Sequence, residues 1–271
     1  MSSIRPWILA ARPKTLFATL APIIVGISLS YKISNTIDWC LTSLIILSAV
    51  LLQIGSNYAN DAYDYLKGAD SQSRKGPKRM VQDGVLSANT VLNVMYIIFT
   101  LSVLIGYFLV KIGGWPIIVI GLSSIIFAII YTGGPYPLAY NGLGEITVFI
   151  FFGIIATVGT VYLQIVNSGF YFNLFNLEIF VAASSVGLLN TAILVVNNLR
   201  DIESDKLADK KTLAVKFGHQ FACYEFSLLL IINCLCYIWL ALKWSNYSFI
   251  IAAILIAILS DALDGYFARR A

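Results

Sequence analysis

The chain is poor in charge. Only 12% of its 271 residues are Asp, Glu, Lys or Arg, where a soluble domain carries about 25%. So little charge cannot cover a globular surface in water, whereas a surface facing lipid needs none. Histidine is reduced to His219, which reads as a loop residue rather than a catalytic base. Cysteine is scarce as well. Cys223, Cys234 and Cys236 fall in apolar runs and Cys40 near the end of another, with no C-x-x-C pair. That pattern excludes a disulfide framework and a zinc site. Runs of about ten residues with alternating polarity are missing too, which excludes a transmembrane barrel.

What is present is apolar, 59% of the chain by count. Eight segments are long enough to cross a bilayer, near 15–31, 38–60, 89–110, 115–132, 143–165, 178–199, 222–242 and 247–263. Backbone groups in lipid must bond within their own segment, so each is expected to be a helix. The expected fold is therefore all-α, a polytopic transmembrane bundle forming one domain over residues 1–271. Arg5, Arg12 and Lys14 precede the first apolar stretch, which reads as a retained helix and not a cleaved leader.

The basic residues sort by side. With the N-terminus in the cytoplasm and eight alternating spans, 15 of the 18 lysines and arginines fall inside, leaving Lys32, Lys111 and Lys243 outside. The positive-inside rule then sets the topology in a cytoplasmic (inner) membrane. The net charge of +4 arises mainly in these inner loops and is not a nucleic-acid signal.

The acids are as uneven. Asp61, Asp64, Asp70 and Asp83 follow the second span, and Asp201, Glu203, Asp205 and Asp209 follow the sixth, making eight of the 14 acids. The two segments read NYANDAYDYLKGAD (Asn57 to Asp70) and NNLRDIESDKLADKK (Asn197 to Lys211), both on the cytoplasmic side. Each contains Asn-x3-Asp: Asn60 with Asp64, and Asn197 with Asp201. Helical residues four apart share a face, roughly 6 Å apart along the axis. Gln53, Asn57, Asn60 and Asp64 would form one polar stripe, and Asn197, Asp201 and Asp205 another. Ordinary solvated loops also carry acids and bases, but the same spacing at two corresponding helix ends argues for a shared task. Carboxylates at a membrane boundary are costly unless paired or ligating. Mg²⁺ takes oxygen ligands, one or two carboxylates together with substrate phosphates. Two acidic helix ends could hold Mg²⁺ against a diphosphate, with Lys67, Arg74, Arg79, Arg200 and Lys211 on its oxygens.

These two segments resemble the aspartate-rich motifs of the UbiA superfamily of intramembrane prenyltransferases, most closely its 1,4-dihydroxy-2-naphthoate polyprenyltransferase (MenA) branch. The resemblance also rests on RPKTLFATLAPIIVG (Arg12 to Gly26), SRKGPKRMVQDG (Ser73 to Gly84) and YTGGPYPLAYNGLGE (Tyr131 to Glu145), and spans roughly residues 10 to 220. It implies a bundle of usually nine spans around a cavity open to the membrane. It implies that Asn60, Asp64, Asp201 and Asp205 hold Mg²⁺ and the diphosphate, that Asp61 and Asp70 support the first metal site, and that Lys67, Arg74, Arg79 and Lys211 lie near the phosphates. Asp64, Asp201 and Lys67 would carry the chemistry, with Asn197 and Arg200 also on substrate. The implied partners are a polyprenyl diphosphate, 1,4-dihydroxy-2-naphthoate and the lipid bilayer. The implied products are a demethylmenaquinone, CO₂ and pyrophosphate. An allylic cation would be stabilised by aromatic faces, for which Tyr58, Tyr63 and Tyr131 are candidates. The Gly- and Pro-rich loop from Thr132 to Glu145 would lie over the cavity. Where the 4-hydroxybenzoate branch commonly has a further acid, this chain has Gly68, which favours the naphthoate acceptor, with Asp70 taking over.

The tail departs from the pattern. A ninth span is expected and only eight are found. Asp261-x2-Asp264-Gly265-x2-Ala268-Arg269 resembles the opening half of the CDP-alcohol phosphotransferase signature, whose second half is missing. The tail reads as a frameshift or fusion scar ahead of coincidence or a second function. Four other readings of the whole chain stand beside the leading one: a prenyltransferase for another aromatic acceptor such as 4-hydroxybenzoate, a CDP-alcohol phosphotransferase, a secondary transporter, and a degraded, inactive copy, against which the intact acidic motifs argue. The transporter would favour charges at the midplane, whereas these acids sit at helix ends.

Overall fold

The structure is a computed structural model and describes residues 4–69, 79–173, 176–246, 248–252 and 254. No strand occurs among the described residues. The chain opens with α1 (Ile4–Ala11), a 3-10 turn over Pro13–Thr15, α2 (Leu16–Ser34) and α3 (Trp39–Leu66). It continues with α4 (Ala88–Gly113), α5 (Trp115–Ile130) and α6 (Gly144–Phe149), which passes through a π-helical turn at Ile150–Ile155 into α7 (Ala156–Asn167). Next come α8 (Leu177–Arg200), the short α9 (Ile202–Leu207) and α10 (Leu213–Phe217), and α11 (His219–Trp244).

Six stretches are long and apolar enough to cross a membrane: Ile4–Ser34, Trp39–Leu66, Ala88–Gly113, Gly144–Asn167, Leu177–Arg200 and His219–Trp244. The apolar α5 is shorter. With α5 these match seven of the expected spans. Of the eighth, residues 248–252 and 254 are helical and most of the remainder lies outside the described residues, as does the tail motif at Asp261–Arg269. His219 is not a loop residue: it opens α11, directly after Gly218 in a left-handed conformation, φ 86°. None of the four cysteines, all of them among the described residues, is in a disulfide.

Helix ends follow local chemistry. Asp38 caps α3 by accepting from the Leu41 amide, Ser87 caps α4 through Thr90, and Asn176 caps α8 through Glu178 and Ile179. Each satisfies amides that have no partner inside the helix. At the other end of α3, Gly68 adopts φ 73°, and the amides of Gly68 and Ala69 fold back on the carbonyls of Tyr65 and Asp64. A side chain there would be strained, so the position expected for an acid in the other branch is instead the stop of the helix.

Helices α2, α3, α4, α5, α7 and α8 enclose one cavity of about 730 Å³. α3 packs chiefly on α4, α2 on α7, and α8 on α11. The α6–α7 segment crosses α8 at Gly153 and Gly187, where a Cβ on Gly153 would come 2.5 Å from the Gly187 Cα. In that π turn the Phe152 carbonyl accepts from the Asn190 amide, which also donates to the Ala18 carbonyl of α2. One cavity-lining side chain thus ties α2, the π turn and α8 together.

Gly153→Ala is expected to destabilise the bundle by about 1–3 kcal/mol, the usual cost of overpacking. Gly106→Ala, with open space around the added methyl, is expected to leave stability unchanged or slightly raised. Thermal unfolding midpoints of the two variants in detergent check this.

Candidate active site

The cavity has two chemically distinct ends. Its apolar end is formed by residues such as Ile23, Ile45, Leu109, Ile117 and Leu163. Its polar end gathers Arg12, Asn60, Asp64, Arg79, Asn197, Arg200, Asp201, Asp205 and Lys210. Ile45 and Asp64, both on α3 and both lining the cavity, are nineteen residues apart, about 28 Å along the axis. The two acidic segments therefore meet, as the repeated Asn-x3-Asp suggested. α3 delivers Asn60 and Asp64 from its last turns. α8 delivers Asn197, then breaks at Asp201, and α9 carries Asp205 back to the same wall; the Asp205 amide donates to the Asp201 carbonyl at 2.8 Å.

Each carboxylate at this end has a cation. Asp64, 2% exposed, accepts from the Tyr140 hydroxyl at 2.8 Å and pairs with Arg79 at 2.5 Å. Asp201 is held by both arms of Arg200, at 2.8 and 2.7 Å. Asp205 lies 3.5 Å from Lys210, while its Oδ2 is buried with no hydrogen-bond partner. Burial lifts the Asp205 carboxyl above its ordinary range. Lys210 pulls it down, but the charges of Asp201 and Asp64 reinforce the rise.

Asn60 accepts from Thr132 at 2.9 Å, and its carbonyl holds Arg79 at 2.8 Å. Asp61 does not line the cavity. It lies buried at 1% exposure in the field of Arg12 and Arg79, facing the Met80 and Val81 amides. Asn57 also turns aside, donating to the Ala11 carbonyl and to Thr15. Lys67 reaches out to the Gly134 carbonyl at 3.0 Å, and Lys211 pairs with the exposed Asp209 at 3.4 Å, so neither lines the cavity. Asp70 and Arg74 lie outside the described residues.

Of the candidate aromatics, Tyr131 lines the cavity beside Phe127 and Phe151, whose rings stand 4.8 Å apart. Tyr58 instead bonds the Trp7 carbonyl and packs α1 on α3, and Tyr63 packs against Gly133. The Thr132–Glu145 loop does lie over the polar end, tied to α3 through Thr132 and Tyr140.

Three residues were missed from sequence: Arg12, Lys210 and Tyr140. Arg12 stands in a left-handed conformation, φ 50°, just ahead of Pro13. Only that turn brings it to the cavity, and the Arg-Pro junction was its one visible signal.

Among the described residues, no three acidic, His or Cys side chains converge closely enough to hold a metal by themselves. The residues nonetheless fit Mg²⁺ shared with a substrate. The donors are all oxygen, each wall supplies one or two carboxylates, and Asp205 Oδ2 is a buried anionic atom lacking a partner.

Comparison with known proteins agrees with this architecture. The chain belongs to the UbiA prenyltransferase family, whose model matches residues 19–266. It is 37% identical over 265 residues to the 1,4-dihydroxy-2-naphthoate octaprenyltransferase of Haemophilus influenzae, covering 94% of this chain and 84% of that protein. The enzyme of the same name from Escherichia coli is 37% identical over 242 residues, covering 87% and 76%. The structure of a UbiA homolog from Archaeoglobus fulgidus bound to GPP and Mg²⁺ has the same fold, with a TM-score of 0.70, 17% identity, and coverage of 98% of this chain and 88% of that one.

The Asp205 environment sets a pH dependence. Its folded-state pKa lies above the unfolded value, so the folded chain holds this proton longer. Stability from this group is therefore greatest below the ordinary carboxylate range and is lost as pH rises through the raised value. Without divalent cation, Asp205→Asn should unfold at a higher temperature than the parent near pH 8, and the gap should close toward about pH 4, where an unshifted Asp is protonated. Thermal melts across that range are the measurement; a lower midpoint for Asp205→Asn near pH 8 would contradict it.

Proposed function

We propose that this protein transfers a polyprenyl group from polyprenyl diphosphate to 1,4-dihydroxy-2-naphthoate. Pyrophosphate and the acceptor carboxylate, as CO₂, are lost, and a demethylmenaquinone forms. The observation that carries the reading is the joining of two things: relatives of that name at 37% identity over most of both chains, and a cavity whose polar end pairs Asp64, Asp201 and Asp205 with Arg79, Arg200 and Lys210. Family membership favours a prenyltransferase over the transporter and the CDP-alcohol phosphotransferase.

Asn60, Asp64, Asp201 and Asp205 would hold Mg²⁺. When bound, the metal supplies positive charge to a departing pyrophosphate. The chain's own residues do the rest. Arg79, Arg200 and Lys210, each neutralised by an acid, can turn to the diphosphate oxygens while their acids turn to metal. Charge is then exchanged between partners and not newly buried, which keeps the step affordable in a low-dielectric wall. Arg79 and Arg200 offer forked donors suited to phosphate. The prenyl tail lies along the apolar end, where every CH₂ kept from water is worth about 0.8 kcal/mol. Phe127, Phe151 and Tyr131 line the cavity, where aromatic rings can stabilise an allylic cation and exclude water from it. The positive-inside pattern supports placing the polar end on the cytoplasmic side of the inner membrane.

The test is an assay in membranes with 1,4-dihydroxy-2-naphthoate, a polyprenyl diphosphate and Mg²⁺, reading CO₂ and prenylated product. Asp64→Ala and Asp201→Ala should each lower the rate by about a hundredfold or more, the scale on which transition-state charge stabilisation is lost. Chelation of Mg²⁺ should stop the reaction reversibly. Turnover of 4-hydroxybenzoate with none of the naphthoate would displace the assigned acceptor.

A further inference from the structure

The acidic helix ends stand on opposite walls. α3 packs on α1, α2, α4 and α5, while α9 packs on α8 and α10. Residues that hold a shared ligand from two walls must be kept in register by something between them. One side chain touches both groups of residues. Tyr140 ends the 3-10 turn Leu138–Tyr140 and is 8% exposed. Its hydroxyl donates to Asp64 Oδ1 at 2.8 Å, leaving Oδ2 to Arg79. Its carbonyl accepts from the Lys211 amide at 3.0 Å. Its ring is flanked by Lys67 at 5.7 Å from the end of α3 and by Lys210, the partner of Asp205, at 5.5 Å. The rest of the loop is anchored on the same two sides, by Thr132 on Asn60 and by Lys216 on the Asn141 carbonyl.

We infer that Tyr140 is the positioning residue that registers Asp64 against the Asp201–Asp205 half of the site, so that both can share one metal–diphosphate ligand. This rests on the reading of the cavity as a metal–diphosphate site and is independent of the acceptor. The two parts of the side chain have separable roles. The hydroxyl fixes which Asp64 oxygen faces the second wall. The ring holds Lys210 near Asp205 by cation–π attraction. Tyr140→Phe removes the first and keeps the second; Tyr140→Leu removes both.

The experiment titrates Mn²⁺, with inorganic pyrophosphate present, into the detergent-purified full chain and reads free Mn²⁺ by electron paramagnetic resonance, beside thermal melts. Tyr140→Phe should weaken Mn²⁺ binding about tenfold, the effect expected of one hydrogen bond to a charged group, with its unfolding midpoint near that of the parent. Tyr140→Leu should weaken it further. Tyr58→Phe serves as the control, since that buried hydroxyl bonds the Trp7 carbonyl away from the cavity; its Mn²⁺ affinity should not change. Parental Mn²⁺ affinity in Tyr140→Phe overturns the inference, as does an equal loss in Tyr58→Phe, which would mark general loosening. Failure of the parent chain to bind Mn²⁺ overturns this inference and the metal–diphosphate reading together. Tenfold weaker binding in Tyr140→Phe, with no transfer to the naphthoate, supports the role of Tyr140 and sinks only the acceptor.

Discussion

A carboxylate kept at the edge of hydrocarbon must be compensated, and three of them at one end of a cavity must be compensated three times. Asp64, Asp201 and Asp205 meet this demand with Arg79, Arg200 and Lys210, each pair made within or beside its own segment. The Asp201 pair is made by adjacent residues and the Asp205 pair by residues five apart, so one short break after α8 produces both. The helix stop at Gly68, the break at Asp201 and the strap from Thr132 to Glu145 place these pairs around the polar end of the cavity. An ion pair broken by loss of one partner leaves a charge whose burial costs several kcal/mol. The same pairs opened by a ligand that brings both signs at once avoid that cost.

The fold was legible because lipid imposes few choices. Apolar runs of the right length had to be helices, and seven of them are. The site was legible where a helix decides geometry unaided: Asn60 with Asp64 is a four-residue spacing on one face. It was less legible where irregular backbone decides. Lys210 and Lys211 are neighbours in sequence, yet only Lys210 lines the cavity, because the turn after α9 sends one inward and the other toward Asp209. Asp61 next to Asn60 looks like part of the same acidic cluster, but one step around a helix turns it toward Arg12 and Arg79. Tyr140 meets Asp64 across 76 positions, and no local pattern announces such a contact. His219 was misplaced for a similar reason, since the left-handed Gly218 starts a helix where polarity alone suggested a loop.

The polar and apolar ends also divide the work of recognition. Backbone and side chains at the polar end are fixed by hydrogen bonds from several directions, whereas the apolar end is lined by side chains such as Ile23, Ile45 and Leu163 that are held by shape alone. Changes at the apolar end can therefore alter what fits the cavity without disturbing the ion pairs at the polar end.

The length of the cavity has one more implication. From Asp64 to Ile45 it runs about 28 Å, close to the hydrocarbon thickness of a bilayer. A tail lying along this run would be flanked by the apolar side chains that line it. Any tail longer than the run must bend out between helices and finish among the lipids. Beyond that point the surrounding membrane, and no longer the protein, would set the limit on the length of such a tail.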